Sequence, residues 1–166
     1  CVTIYDSADG RELRIAPVDA RLPDREPLAP ILARGLAFQP GSGVLAIANE
    51  AQEIDFVHPV SDALNPRMIR LFPPRRLEYD STGRHLLVSG DNWGSVRMID
   101  LNTGPIPRID VLHEGSITTT TFDSTGDLWL SAARDGSVFV WETASCRPIV
   151  ERPCGHGHVL CAAFSP

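Results

Sequence analysis

The sequence predicts an all-β fold made of four-stranded antiparallel sheets that recur about every 42 residues. Two observations carry this prediction: an aromatic residue recurs at one place in four similar stretches, and a β-branched run recurs with nearly the same spacing. The chain has 166 residues, of which 43% are hydrophobic. That is enough apolar material for a packed core, so we expect a globular chain.

The aromatic marker lies in the stretches LAFQPGSGVLAIANE, LEYDSTGRHLLVSGD, TTFDSTGDLWLSAARD and CAAFSP. Its four positions are separated by 41, 43 and 42 residues: Phe38, Tyr79, Phe122 and Phe164. The β-branched runs VTIYD, IDFVH, VRMID and VFVWE are separated by 52, 42 and 42 residues, and they begin at Val2, Ile54, Val96 and Val138. Two independent markers with one period indicate an internal repeat.

Each repeat also has the internal order of a small antiparallel sheet. An aromatic-centred run, an Asp-Ser-Thr-Gly type turn, a second apolar run, a polar turn and a β-branched run predict three strands. We predict a fourth strand in residues 12–15, 68–72, 109–112 and 149–151. Four short antiparallel strands are one blade of a β-propeller. A β-sandwich with similar strand spacing is the alternative.

The stretch FDSTGDLWLSAARDGSVFVWE resembles the consensus of the WD-repeat family, with Trp141-Glu142 in place of the closing Trp-Asp. The resemblance implies a hydrogen-bonded set inside the blade, in which each buried donor and acceptor is satisfied. Because the family places this set away from substrate, we do not interpret it as a Ser-His-Asp catalytic triad. The set consists of His113, Ser131, Asp135 and Trp141.

The other repeats depart from the family pattern. Trp93 stands where the best-matching repeat has Asp135, and Ile99 stands where it has Trp141. We expect those blades to depend on packing. The chain divides into the end of one blade with an insertion-bearing segment (1–32), three blades (33–74, 75–116 and 117–158) and the start of another (159–166). Propellers have four to eight blades, so ring closure would need further blades of the same chain or other copies.

Composition excludes several function classes. Acidic residues outnumber basic residues by 21 to 15, for a net charge of −6, which opposes nucleic-acid binding. All 15 basic residues are Arg, so a P-loop Lys or a Schiff-base Lys is lacking. The hydrolase pattern G-x-S-x-G and the zinc pattern H-E-x-x-H are also lacking. No apolar run approaches the ~18 residues that span a bilayer. We expect no membrane partner and a cytoplasmic location.

The cysteines and histidines near the end of the sequence form the pattern C-x-H-x-H-x-x-C, which contains ligand types that zinc prefers. The resemblance explains His156 as part of the Gly-His pair of a repeat, and Cys161 lies in a predicted strand where a small thiol packs well. We therefore expect neither a metal nor a cofactor. A disulfide between Cys146 and Cys154 is left open. The pattern consists of Cys154, His156, His158 and Cys161.

The resemblance implies a non-catalytic scaffold or regulatory propeller that binds other proteins or peptides. Partners of this family commonly contact the face made by the loops before the first strands and the turns between second and third strands. Trp and Arg are enriched at binding hot spots, and on this face the sequence places Trp93, Arg134, Arg75 and Arg76. Residues 18–27 are a second candidate, as a loop longer than its counterparts. The alternative is a propeller that gates a hydrolase or peptidase domain outside this sequence.

Overall fold

The fold is taken from a computed structural model. It describes residues 3–5, 8–14, 33–50, 52–58, 69–70, 73–90, 94–105, 113–153 and 157–165. All regular secondary structure in these ranges is β-strand, and every strand pair is antiparallel. The predicted all-β, antiparallel fold class is therefore confirmed. The part of the chain that the structure describes contains no helix long and apolar enough to cross a membrane.

The strands form one two-stranded sheet and three four-stranded sheets, and in each sheet the strands pair in chain order. The two-stranded sheet contains β1 (Thr3–Tyr5) and β2 (Glu12–Arg14). Sheet I contains β3 (Ala33–Phe38), β4 (Leu45–Asn49), β5 (Glu53–Val57) and β6 (Ile69–Arg70). Sheet II contains β7 (Pro74–Tyr79), β8 (His85–Gly90), β9 (Val96–Asp100) and β10 (Gly104–Pro105). Sheet III contains β11 (Ile117–Phe122), β12 (Leu128–Ala133), β13 (Ser137–Glu142) and β14 (Arg147–Pro153).

An aspartate closes the first turn of sheets II and III. Asp80 Oδ1 accepts a hydrogen bond from the backbone N–H of His85 at 2.9 Å, and Asp123 Oδ1 accepts one from Leu128 at 3.0 Å. Side chains of Asp favour such turns because they bond their own backbone a few residues on. These bonds explain why the Asp-Ser-Thr-Gly sequence ends one strand and starts the next.

The core lies between successive sheets. Side chains alternate along a strand, so Leu86 and Val88 of β8 face sheet I while Leu87 faces sheet III. Sheet II is therefore apolar on both faces. The first contact joins Ala46, Ala48, Ile54 and Phe56 to Leu77, Tyr79, Leu86, Val88 and Ile99. The second joins Leu87, Val96 and Met98 to Ile117, Phe122, Trp129, Ala133, Phe139 and Trp141.

Several predicted strand positions differ from the structure. The fourth strand of sheet II is Gly104–Pro105, which pairs with Ile99 and Asp100, while the predicted residues 109–112 lie outside the described ranges. β14 is longer than the predicted 149–151 because its pairing with β13 runs from Arg147 to Pro153. β7 begins at Pro74, one residue before the start expected for that repeat at residue 75.

The strand predicted at Cys161 was also wrong. Residues 157–165 are described and none of them is in a strand. Instead, the backbone N–H of Val159 donates to the carbonyl of Ala133 at 3.3 Å, and the ring of His158 donates to the carbonyl of Arg134. Strand residues must pair their backbone groups along a neighbour, and this segment instead contacts the end of β12.

Candidate functional site

A chain of hydrogen bonds crosses the inside of sheet III. The indole Nε1–H of Trp141 on β13 donates to Ser131 Oγ on β12 at 3.0 Å. Ser131 Oγ lies 2.7 Å from Nε2 of His113. All three side chains are buried, so their polar atoms form hydrogen bonds with one another rather than with water. The structure thus brings together three of the four residues that the WD resemblance implies.

The fourth residue, Asp135, reaches the histidine through a serine that the sequence analysis missed. Nδ1 of His113 is 3.7 Å from Asp135 Oδ2, which is too far for a hydrogen bond. It is 2.6 Å from Ser137 Oγ, and that hydroxyl lies 2.6 Å from Asp135 Oδ1. Ser137 follows the Asp-Gly turn, where a serine hydroxyl commonly bonds nearby polar groups. The position of Ser137 directly after this turn was the sequence signal that could have identified it.

Counting protons gives the direction of each hydrogen bond. The carboxylate of Asp135 only accepts, so Ser137 donates its one proton to it. Ser137 must then accept from Nδ1–H of His113, which leaves Nε2 to accept the proton of Ser131. A neutral histidine satisfies the whole set, and burial lowers the pKa of His113 despite the nearby charge of Asp135.

Asp135 is held as a carboxylate at the end of this chain. Burial opposes its ionisation, but hydrogen bonds from Ser137 and from the backbone of Glu114 and Gly115 lower its pKa. The N–H groups of Glu114 and Gly115 lie 2.6 and 3.2 Å from Oδ2. The carboxylate therefore joins the β12–β13 turn to the segment that leads into β11.

The hydrogen-bonded set stabilises sheet III, and its serine is placed unfavourably for nucleophilic catalysis. A serine nucleophile must meet its substrate, whereas Ser131 has an exposed fraction of 0%. Aromatic packing closes the site further: the ring of Trp141 stacks on Trp129 with centroids 4.8 Å apart, and His113 makes an edge contact with Phe139 at 4.9 Å.

The candidate partner-binding residues lie at one end of the sheets, which we call the top face. It contains the starts of β3, β7 and β11 and the ends of β4, β8 and β12, since these strands pair antiparallel. Arg75 and Arg76 are exposed at the start of β7, and Arg134 is exposed in the turn after β12. The structure thus brings these three arginines to the same face.

Trp93 lies outside the described residues, and the described chain resumes at Gly94. Gly94 is buried and has a φ of +59°, and a Cβ added there would collide with the carbonyl oxygen of His113. A left-handed conformation at such a close approach favours glycine. Gly94, just before β9, therefore lies against the segment leading into sheet III, on the top face.

The cysteine and histidine pattern is only partly described. Cys154 and His156 lie outside the described residues, as do residues 18–27, while Cys146 and Cys161 are free thiols. His158 is used in its hydrogen bond to Arg134. Within the described ranges, no three His, Cys, Asp or Glu side chains are grouped as a metal site would require.

Comparison with known proteins informs the fold. No family model matches the sequence, and no curated protein matches it. Among solved structures, the chain is similar to hydrazine synthase of Kuenenia stuttgartiensis, with a TM-score of 0.65 and 16% sequence identity. The match covers 77% of this chain and 37% of that one, so the chain spans little more than a third of that neighbour. At this identity the likeness concerns the fold alone.

Proposed function

We propose that the chain is a segment of a WD-repeat β-propeller that binds other proteins or peptides through its top face and is not itself catalytic. One observation carries the proposal: three successive four-stranded sheets pack face to face in the same manner. Successive blades of a propeller are arranged in this way. The arrangement also brings exposed arginines from different sheets to a common face, where a partner could contact them together.

Corresponding residues of the first strands support the propeller. The first strand of each large sheet ends in an aromatic residue that pairs with the first or second residue of the second strand. These aromatic residues are Phe38 in β3, Tyr79 in β7 and Phe122 in β11. Tyr79 and Phe122 are covered by the preceding sheet and are 9% and 8% exposed, whereas Phe38 is 53% exposed. A further blade packed on sheet I would cover Phe38 in the same way. Such a blade would come from the same polypeptide or from another copy.

The hydrogen-bonded set of sheet III supports both the WD assignment and the absence of catalysis. Three residues that the WD resemblance implies are hydrogen-bonded to one another, and Ser131 is inaccessible. In sheets II and I the residues that correspond to Ser131 are Val88 and Ile47, which pair with Leu77 and Leu36 as Ser131 pairs with Thr120. Those blades depend on apolar packing.

Selection from a random peptide display library tests the binding function. The chain is immobilised, peptides are selected, and the Kd of each is measured for the wild type and for Trp93→Ala and Arg134→Ala. Loss of a hot-spot Trp or Arg typically costs more than about 1 kcal/mol, so we expect affinities to fall by about tenfold. The control is Arg147→Ala, an exposed arginine on β14, which should leave Kd unchanged.

Two outcomes would contradict this proposal. One is a library that yields no peptide above background. The other is a set of peptides whose Kd is the same for wild type, Trp93→Ala and Arg134→Ala, because such peptides would bind elsewhere on the molecule.

A further inference from the structure

The first strands of the three large sheets share an irregularity near their starts. The pairing with the second strand skips one residue in each: Arg34 in β3, Arg75 in β7 and Thr118 in β11. A skipped residue of this kind is a β-bulge, which bends the strand and re-aims a side chain. Sheets I and II therefore each place a bulged arginine at the same position of the top face.

The two bulges are immediate neighbours in space. A Cβ added to Gly35, the residue after Arg34, would lie 2.6 Å from the carbonyl oxygen of Arg75 and 3.5 Å from Cα of Arg76. The backbones of β3 and β7 are therefore in contact at this point, and three arginines arise from it. All three are exposed. We call Arg34, Arg75 and Arg76 the arginine patch.

The patch gathers positively charged side chains on an acidic chain. The chain carries a net charge of −6, yet three guanidinium groups arise here from two adjacent strand starts. Guanidinium groups present a planar set of donors that fits a carboxylate with two parallel hydrogen bonds. The chemistry of the patch is therefore that of carboxylate recognition.

Arg34 of the patch holds a carboxylate of this chain. Nη2 of Arg34 lies 2.8 Å from Oε1 of Glu50, and these side chains are 38% and 44% exposed. Exposed ion pairs of this kind contribute little stability, so an incoming carboxylate could replace or join Glu50 at small cost. Glu50 thus shows how an acidic side chain of a partner would be held.

We infer that the arginine patch binds an acidic segment of a partner protein through at least two Asp or Glu side chains. The inference rests on the proposed function and names the class of partner for its top face. A short acidic segment places its charges on the patch alone. A nucleic acid would extend its phosphates over the surrounding surface of this acidic chain, where they are repelled.

Binding of defined peptides tests the inference. The probes are a short fluorescent peptide of alternating Glu and Gly, its Gln and Gly counterpart, and a single-stranded oligonucleotide of equal charge. Anisotropy is measured at an ionic strength of about 0.05 M, where screening is weak. The variants are R75Q/R76Q on the patch and R147Q/R152Q on β14, which change the net charge equally at exposed positions.

We expect the Kd of the Glu peptide to differ by no more than about twofold between wild type and R147Q/R152Q. R75Q/R76Q should bind the same peptide at least about tenfold more weakly, because its lost charges lie at the contact. The Gln peptide and the oligonucleotide should bind weakly to all. Thermal unfolding checks that each variant is folded. If R75Q/R76Q is not folded, R34Q replaces it, with R147Q as its control and a weakening of about threefold expected.

Three results would overturn the inference: no binding of the Glu peptide by wild type, equal weakening by the β14 control, or an oligonucleotide that binds as tightly as the peptide. The display experiment separates this failure from failure of the proposed function. If selected peptides depend on Trp93 and Arg134 but bind R75Q/R76Q normally, the top face binds partners that are not recognised by the patch.

Discussion

Nδ1 of His113 lies 2.6 Å from the hydroxyl oxygen of Ser137, although the set that the WD resemblance implies contains Asp135 and lacks Ser137. The hydroxyl is placed between the two groups and bonds both. Its position makes Ser137 as much a part of the hydrogen-bonded set as the residues expected from the sequence, and removing Ser137 measures its contribution to stability.

Ser137→Ala should destabilise the chain by about 1–3 kcal/mol, the cost of leaving a buried polar group without its partner. The change removes the acceptor of Nδ1–H of His113 and one donor to Asp135. Urea unfolding followed by tryptophan fluorescence measures the loss. The matched control is Ser124→Ala, an exposed serine in the β11–β12 turn, with an expected effect below about 0.5 kcal/mol. Equal effects of the two changes would argue against the bridging role.

Trp141→Ala should cost about 3–5 kcal/mol, as truncation of buried aromatic residues does. It removes the stack on Trp129 and leaves Ser131 without the indole donor. Thermal and urea unfolding measure the change. Trp93→Ala is the comparison, because the binding role proposed for Trp93 requires that its loss spare stability. If both tryptophan variants are destabilised equally, Trp93 packs in the core and its binding role is wrong.

Stability should fall as the pH is lowered through about 6.5, the ordinary pKa of histidine. Burial lowers the pKa of His113 in the folded chain, so between the two values the unfolded chain binds a proton that the folded chain does not. Stability from this group is present above pH 6.5 and is lost below it, by at most about 1.4 kcal/mol per pH unit. Unfolding curves at a series of pH values, for wild type and His113→Gln, check this. If the His113→Gln variant shows the same dependence of stability on pH, other groups are responsible for that dependence.

Gly35→Ala should destabilise the contact between sheets I and II. The added methyl would lie 2.6 Å from the carbonyl oxygen of Arg75, and this neighbour is backbone that cannot rotate away. Overpacking of this kind typically costs about 1–3 kcal/mol. Gly157→Ala is the control, since an added Cβ there meets nothing within 4 Å. If the Gly35→Ala variant were as stable to unfolding as the Gly157→Ala variant, β3 and β7 would have to separate easily.

The sequence predicted best where the chain repeats itself. The runs IDFVH, VRMID and VFVWE became β5, β9 and β13, because alternating β-branched residues both favour extended backbone and fill the space between sheets. Each of these features depends on residues close in sequence, which a repeat displays several times.

The features that sequence reasoning missed depend on contacts between distant residues. Ser137 became visible as a bridge only when His113, 24 residues earlier, was placed beside it. Arg34 had no distinguishing pattern, and its importance comes from the bulge in β3 and the neighbouring backbone of Arg75. Residues 157–165 were predicted from their own pattern, but whether a segment pairs as a strand depends on the neighbour it meets.

The hydrogen bonds inside sheet III all point the same way, from the indole of Trp141 towards the carboxylate of Asp135. Each hydroxyl dipole is therefore fixed in direction, and the aligned dipoles turn their positive ends towards the negative carboxylate of Asp135. Val88 of sheet II and Ile47 of sheet I stand in place of Ser131 and have no hydroxyl, so among the described residues a row through this position occurs in sheet III alone. Sheet III therefore has an internal electrical polarity, which connects the middle of the sheet to a charge beside Arg134 on the top face.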